Sequence, residues 1–306
     1  MNCHIRSCEF SACIALNFFT EESKMVVDTL AEIGVYVLSL KNSTERRETI
    51  TAMFSKMGYR HWEFFEPLAA DRLPIPYEAD IAFRARHSVL SKGEISCAAS
   101  HIAMLGKFLD SDLQNVLIME DDVQFDPFFN IAGLAEVMKQ LDLHYLKLYA
   151  RYFVPSRYIS SVGRYTFYRG SWPLLGTQAY VLSRTGAAQL LNHLLSLNAL
   201  NRPIDDLIDR FWCTRLPITF LYPFPVMELG YSTTIHGANN REVIASENSR
   251  LEKSFTRRQK VGLAVSRISD KLFRRYSDRK LKAFDKALMQ RIYGNEESIS
   301  ESLDRV

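Results

Sequence analysis

With 306 residues, 47% of them hydrophobic and 24% charged, the chain can bury one large core or two modest ones and reads as globular. A formal net charge of +3 is too small to imply a partner by itself, so what matters is where the positive charge sits. Cys3, Cys8, Cys13, Cys97 and Cys213 are odd in number and lack CxxC spacing or pairing with nearby histidines, which speaks against a zinc site or a disulfide framework and fits a reducing cytoplasm; no apolar run approaches the roughly 18 to 20 residues that cross a bilayer.

Residues 1–34 carry no usable motif and read as an N-terminal extension. Their apolar piece, Ala12 to Phe19, is too short and too poorly flanked for a signal peptide or anchor. The first core strand is expected at Val35–Leu40. A helix follows from Asn42 and Glu45, with an apolar stripe of Ile50, Met53, Phe54 and Met57 and a stop at Gly58. Strand then helix opens an α/β nucleotide-binding half. A short strand is expected at His61–Phe65, then a loop around Asp71, with Pro74 and Pro76 breaking regular structure.

Ser91 with Glu94 forms a capping box that starts a helix through Ile95, Ala98, Ala99, Ile102 and Leu105. Glu94, Cys97, Ala98 and His101 then share one helical face. The plain alternative makes His101 a core histidine and Glu94 only the cap's reciprocal partner. Next comes the stretch that organises the chain, Val116-Leu-Ile-Met119, a buried strand ending in Glu120-Asp121-Asp122. Three consecutive acids are costly to desolvate, and hard oxygen donors at a strand end suit Mg²⁺ or Mn²⁺. Alone, the triplet is equally an acidic turn in solvent.

Pro127 precedes a helix spanning Leu134, Val137 and Leu141, and Tyr145–Tyr149 reads as another buried strand. Between Arg151 and Pro173 the mixture of aromatic and polar residues suits sugar stacking or ordinary packing. A strand at Leu175–Leu182, a helix at Thr185–Leu195 and a short helix from Pro203 with Asp205 and Asp206 at its positive end follow. Pro217–Pro225 is strand and turn, and His236 stands in a loop. From Lys253 to Arg291, Lys and Arg far outnumber acids, with apolar residues at helical spacings. Such a tail reads as a membrane-surface helix or a helical hairpin packed on the domain, and Glu296–Val306 as frayed.

Four segments resemble glycosyltransferase family 25, the lipooligosaccharide sugar transferases. They are Val35-Tyr-Val-Leu-Ser-Leu40 with Arg46-Arg47, Gly93-Glu-Ile-Ser-Cys-Ala-Ala-Ser-His101, Leu117-Ile-Met-Glu-Asp-Asp-Val123, and Gly176-Thr-Gln-Ala-Tyr180 followed by Pro203-Ile-Asp205. Ser96 stands where the family usually has Gly. The resemblance implies a GT-A fold with a mixed, mostly parallel sheet; the domain is bounded at 35–245, and composition alone marks 246–306 as a basic helical region. The resemblance further implies inverting, metal-dependent transfer of a hexose, galactose from UDP-galactose, to a lipid-linked oligosaccharide at the inner face of the cytoplasmic membrane. Asp122, Glu120 and His236 are the implied metal ligands, with Mn²⁺ or Mg²⁺ as the ion. Glu120, Ser39, Arg46, Asp71 and His101 are the implied nucleotide contacts. Asp205 is the first choice for the catalytic base and Glu94 the second.

Two other functions compete. A metal-dependent nucleotidyl or phosphoryl transferase also needs acids at a strand end, but no P-loop or glycine-rich phosphate cradle is present. A nucleic-acid binder could act through Phe273, Tyr276 and Phe284 among the basic residues, yet the central part has no recognisable nucleic-acid module.

Overall fold

A computed structural model describes residues 33–78, 90–230 and 256–293. In chain order its elements are β1 (Ile33–Leu38), α1 (Thr44–Met57), β2 (Trp62–Phe65), α2 (Lys92–Leu109), β3 (Asn115–Glu120), β4 (Val123–Phe125), α3 (Leu134–Gln140), β5 (Tyr145–Lys147), β6 (Ser156–Val162) and β7 (Tyr165–Gly170). They continue with β8 (Ala179–Ser183), α4 (Arg184–Leu195), α5 (Ile204–Ile208), α6 (Phe211–Thr214), β9 (Thr219–Tyr222), β10 (Val226–Glu228) and α7 (Arg257–Tyr293).

Every residue of β1 is buried, and its side chains alternate between two apolar layers as the two-residue repeat of a strand requires. Val35 and Val37 face the layer that holds Ile50 and Phe54 of α1 and Leu134, Val137 and Met138 of α3. Tyr36 and Leu38 belong to the opposite layer, with Ala98, Ile102 and Leu105 of α2 and Leu190 and Leu194 of α4. The sheet is therefore covered on both faces, which explains why β1, β3 and β8 read as continuous apolar runs.

Eight strands form this sheet in the order β2-β1-β3-β8-β5-β9-β7-β6. Pairing is parallel at β2-β1-β3 and β5-β9 and antiparallel at β3-β8-β5 and β9-β7-β6. The sheet is mixed, as expected from the sequence, but not mostly parallel, because strand-helix alternation governs only one part of it. The segment rich in aromatics folds as the β6-β7 hairpin, antiparallel because a two-residue turn at Gly163 (φ +59°) and Arg164 joins its strands. Tyr165 and Phe167 are buried on its inner face, while Tyr152, Phe153 and Trp172 outside it remain exposed.

The basic tail is one uninterrupted helix of 37 residues, not a hairpin. Its three acids turn inward. Asp270 pairs with Arg210 at 2.6 Å, Asp278 with Arg157 at 2.7 Å, and Asp285 with Arg157 at 2.9 Å and the buried Arg169 at 3.0 Å. The Arg274 guanidinium lies 3.3 Å from the centre of the Trp172 ring, and Leu288 and Met289 are buried. No helix among the described residues is long and apolar enough to cross a membrane.

Candidate active site

β1 and β3 pair in parallel with Leu38 beside Glu120, so their C-terminal ends lie together. Open α/β sheets bind ligands outside such strand ends. β3 is buried through Met119, and the acids begin where it leaves the core. The middle acid, Asp121, is neutralised by Arg46 of α1 at 2.9 Å. Glu120 accepts a 2.5 Å hydrogen bond from the Thr177 hydroxyl, while its backbone N–H donates to the Gln178 carbonyl at 3.0 Å. Burial, and then the neighbouring Asp122, push the Glu120 carboxyl up to about 7. Burial, followed by Glu228, raises Asp122 to about 6 against the pull of Arg46. Asp122 Oδ1 is buried with no hydrogen-bond partner. Two crowded acids and an orphaned carboxylate oxygen describe a place short of positive charge, and the oxygen donors fit a hard divalent ion.

Glu228 is a site residue that sequence reading missed. The antiparallel pairing of β10 with β4 sets it opposite Val123, next to the acidic turn, and it accepts a 2.8 Å hydrogen bond from the Tyr149 hydroxyl. Nothing in its local sequence marks it, because its role depends on that strand pairing.

The opposite wall is the loop before β8. Leu175 (φ +57°) and Gly176 (φ +81°) are both left-handed, and a Cβ on Gly176 would come within 2.4 Å of Gln178 Oε1. A buried ion pair holds this loop. Lys147 Nζ donates to Asp209 at 2.9 Å and to the carbonyls of Leu175 (2.9 Å) and Gly176 (2.7 Å). Asp209 also accepts from the Tyr145 hydroxyl and from the N–H groups of Leu174 and Leu175. The clamp fixes the stretch that delivers the Thr177 hydroxyl to Glu120. It also brings the Gly176 N–H to Asp205, whose Oδ2 accepts it at 3.1 Å while Oδ1 accepts from the Asp206 N–H at 2.8 Å. Asp205 and Glu120 are thus held by adjacent loop residues, Gly176 and Thr177, so the two acids share one site.

The remaining expected residues distribute as follows. Glu94 completes the capping box, accepting from the Ser91 N–H at 2.7 Å while Ser91 Oγ accepts from its own N–H at 3.2 Å. His101 is fully buried, stacked on Tyr180, with Nδ1 2.8 Å from the Tyr180 hydroxyl; burial lowers its pKa to about 3, so it is neutral. That enclosure is at odds with direct contact to a nucleotide. Ser39 is held by Arg47, the neighbour of Arg46, through Nε at 3.2 Å and a second bond to its carbonyl. Asp71 is exposed on a single 3₁₀ turn, Ala70–Arg72. The loop that leads from β2 to this turn is docked on α2 by Ser96 Oγ, which donates to the Leu68 carbonyl, and by Ser100 Oγ, which accepts from the Leu68 N–H at 2.8 Å. Ser96 therefore makes a contact that a glycine at this position could not. His236 lies outside the described residues.

Cys97 and His101, expected not to pair, lie one helical turn apart on α2 and meet Glu120. Burial first, then Glu120 and Asp205, push the Cys97 thiol well above its ordinary value.

A family model described as glycosyltransferase family 25 (LPS biosynthesis protein) matches residues 32–208, a span that includes α2, the acidic turn and α5. A "Glycosyltransferase 25 family member" of Drosophila pseudoobscura pseudoobscura is 27% identical over 217 residues, covering 65% of this chain and 31% of the relative. Its namesake in Drosophila melanogaster is 28% identical over 217 residues, covering 65% and 32%. The chain thus spans about a third of the length of these two relatives. The "Lipooligosaccharide biosynthesis protein lic2B" of Haemophilus influenzae is 29% identical over 182 residues, covering 56% of this chain and 68% of the relative. With the model matching more than half of its length, this chain belongs to glycosyltransferase family 25.

Proposed function

We propose that the chain is an inverting, metal-dependent hexosyltransferase with the GT-A fold, moving galactose from UDP-galactose onto a lipid-linked lipooligosaccharide. The observation that carries this reading is the pair Glu120 and Asp122 at the end of β3, with Asp122 Oδ1 buried and unpartnered and Asp205 nearby. Asp122 and Glu120 would hold Mn²⁺ or Mg²⁺, which when bound supplies positive charge beside the departing diphosphate. Asp205 takes the proton of the acceptor hydroxyl as general base; two backbone N–H groups orient its carboxylate and leave it further lone pairs. Glu94 is the weaker choice, because it caps α2. Ser39 and Asp71 serve the nucleotide, and Arg46 sets the position of Asp121. The relative named for lipooligosaccharide biosynthesis supports the choice of acceptor.

The test is turnover of UDP-galactose, UDP-glucose and nucleoside triphosphates with Mn²⁺, by wild type and Asp122→Ala. UDP-galactose is expected to be consumed, with a loss on the order of 100-fold in the variant. Consumption of triphosphates alone, or unchanged turnover in Asp122→Ala, overturns the reading.

The outer face of α7 supports work at an anionic membrane on the cytoplasmic side. Its acids are spent on inward ion pairs, whereas Lys260, Arg267, Lys271, Arg275 and Arg279 are exposed beside an apolar stripe of Val261, Val265, Ile268, Leu272 and Tyr276, each 58–59% exposed. Apolar insertion flanked by bases is how interfacial helices bind anionic lipid. Pelleting with phosphatidylglycerol vesicles is expected for wild type and reduced for Val265→Asp/Leu272→Asp; equal pelleting removes α7 as the contact.

A further inference from the structure

We propose that Cys97, His101 and Glu120 form a second cation site, selective for zinc-type ions, that overlaps the oxygen-donor site at Asp122 only through Glu120. Cys97 Sγ, a ring nitrogen of His101 and a carboxylate oxygen of Glu120 lie within 4.8 Å of one another. Two of these donors come from successive turns of α2, which the Ser91 cap anchors, and the third from the end of β3, so both supports are regular elements. Zn–S and Zn–N bonds of about 2.3 and 2.0 Å set tetrahedral ligand atoms roughly 3.5 Å apart, so modest side-chain rotations close the remaining gap.

His101 is prepared for ligation in a specific way. Ligating histidines hydrogen-bond through one ring nitrogen, which fixes the ring and its tautomer. Here Nδ1 has the Tyr180 hydroxyl at 2.8 Å, whereas Nε2 is buried without a partner. A fully buried ring nitrogen with no partner is an exception among native polar groups, and a bound ion accounts for it. One sulfur, one nitrogen and one oxygen donor select borderline ions such as Zn²⁺ or Co²⁺ over Mg²⁺ and Mn²⁺. On binding, the Cys97 thiol proton passes to solvent, no oxidation state changes, and three protein donors leave a fourth position for water.

Glu120 belongs to both sites. A soft ion drawn to Cys97 removes one carboxylate from the hard-ion site, so zinc is expected to inhibit Mn²⁺-supported transfer. That consequence rests on the proposed activity; the site itself does not.

The experiment is a Co²⁺ titration of the full chain in excess Mg²⁺, read by the near-ultraviolet sulfur-to-cobalt charge-transfer band. One equivalent should produce the band and an equal amount of Zn²⁺ should abolish it. Cys97→Ser should lack it, Glu120→Gln should bind at least about tenfold more weakly, and Cys213→Ser and Asp122→Asn should retain it. Thermal melts of each variant report folding, and Glu120→Gln, which keeps every cysteine, still decides the matter if Cys97→Ser does not fold. A wild type without the band, a band that persists in Cys97→Ser, a Glu120→Gln that binds as tightly as wild type, or a band lost in Asp122→Asn overturns the proposal. Failure of the transferase reading would appear separately, as absent UDP-galactose turnover with a normal cobalt band.

Discussion

Lys147→Met removes a charge from the least hydrated part of the molecule while nearly preserving side-chain volume. Lys147 and Asp209 both have side chains with 0% exposure, 2.9 Å apart. In the variant, Asp209 keeps the Tyr145 hydroxyl at 2.6 Å and the N–H groups of Leu174 and Leu175 at 3.0 and 2.8 Å, but it has lost its counter-charge. Breaking a buried ion pair from one side costs about 3 to 5 kcal/mol. At about 2 to 4 °C per kcal/mol for a domain of this size, the midpoint should fall by roughly 6 to 20 °C. Lys147→Met/Asp209→Asn should recover about 1 to 3 kcal/mol relative to the sum of the single changes, because a neutral Asn can still accept from Leu174 and Leu175. Urea unfolding at pH 7, followed by tryptophan fluorescence, measures all four corners of the cycle. A loss below about 1 kcal/mol for Lys147→Met, or strict additivity in the double variant, would refute the clamp.

Gly176→Ala should cost about 1 to 3 kcal/mol and depress turnover, since φ is +81° and the new Cβ meets Gln178 at 2.4 Å and the Tyr149 ring at 3.0 Å; denaturant midpoints and initial rates check both. Ser91→Ala strips the α2 cap and should lose about 1 kcal/mol, read from a thermal melt by circular dichroism. In metal-free protein the raised Glu120 pKa stabilises the fold below its ordinary value of 4.5, and that contribution is lost as pH rises through about 7. Glu120→Gln, which has no proton to lose, should therefore be more stable than wild type at pH 8, with the advantage shrinking toward pH 5; an advantage independent of pH would contradict the shift.

The sequence reveals most where local chemistry and burial agree. The capping box at Ser91, the apolar run before Glu120 and the helix that follows β8 appear where periodicity and cap residues put them, but the strand expected from Leu175 begins only at Ala179, because Leu175 and Gly176 are left-handed. It is silent where a role depends on distant partners. Lys147 sits in a strand that reads as buried, and only Asp209, 62 residues on, makes its charge tolerable there. Glu228 reaches the acidic turn through strand pairing, and the left-handed Leu175 has no signature of its own. The antiparallel share of the sheet escaped for a related reason: the β6-β7 segment has aromatics at strand spacing, but its hairpin is visible only from the Gly163 turn. α7 shows the reverse case. Its basic composition points outward correctly, while Asp270, Asp278 and Asp285, a minority in the count, determine how it docks.

The clamp behind the acidic turn and the outer face of α7 differ in one practical respect, their access to ions from solution. Lys147 and Asp209 are sealed from water, and mobile ions screen such a pair weakly, whereas the exposed lysines and arginines of α7 act within a Debye length of about 8 Å at physiological ionic strength. If α7 is the membrane contact proposed above, raising the salt concentration should release the protein from a charged bilayer while leaving the geometry around Thr177 and Glu120 unchanged, so that a salt wash detaches the chain without disturbing the acidic turn.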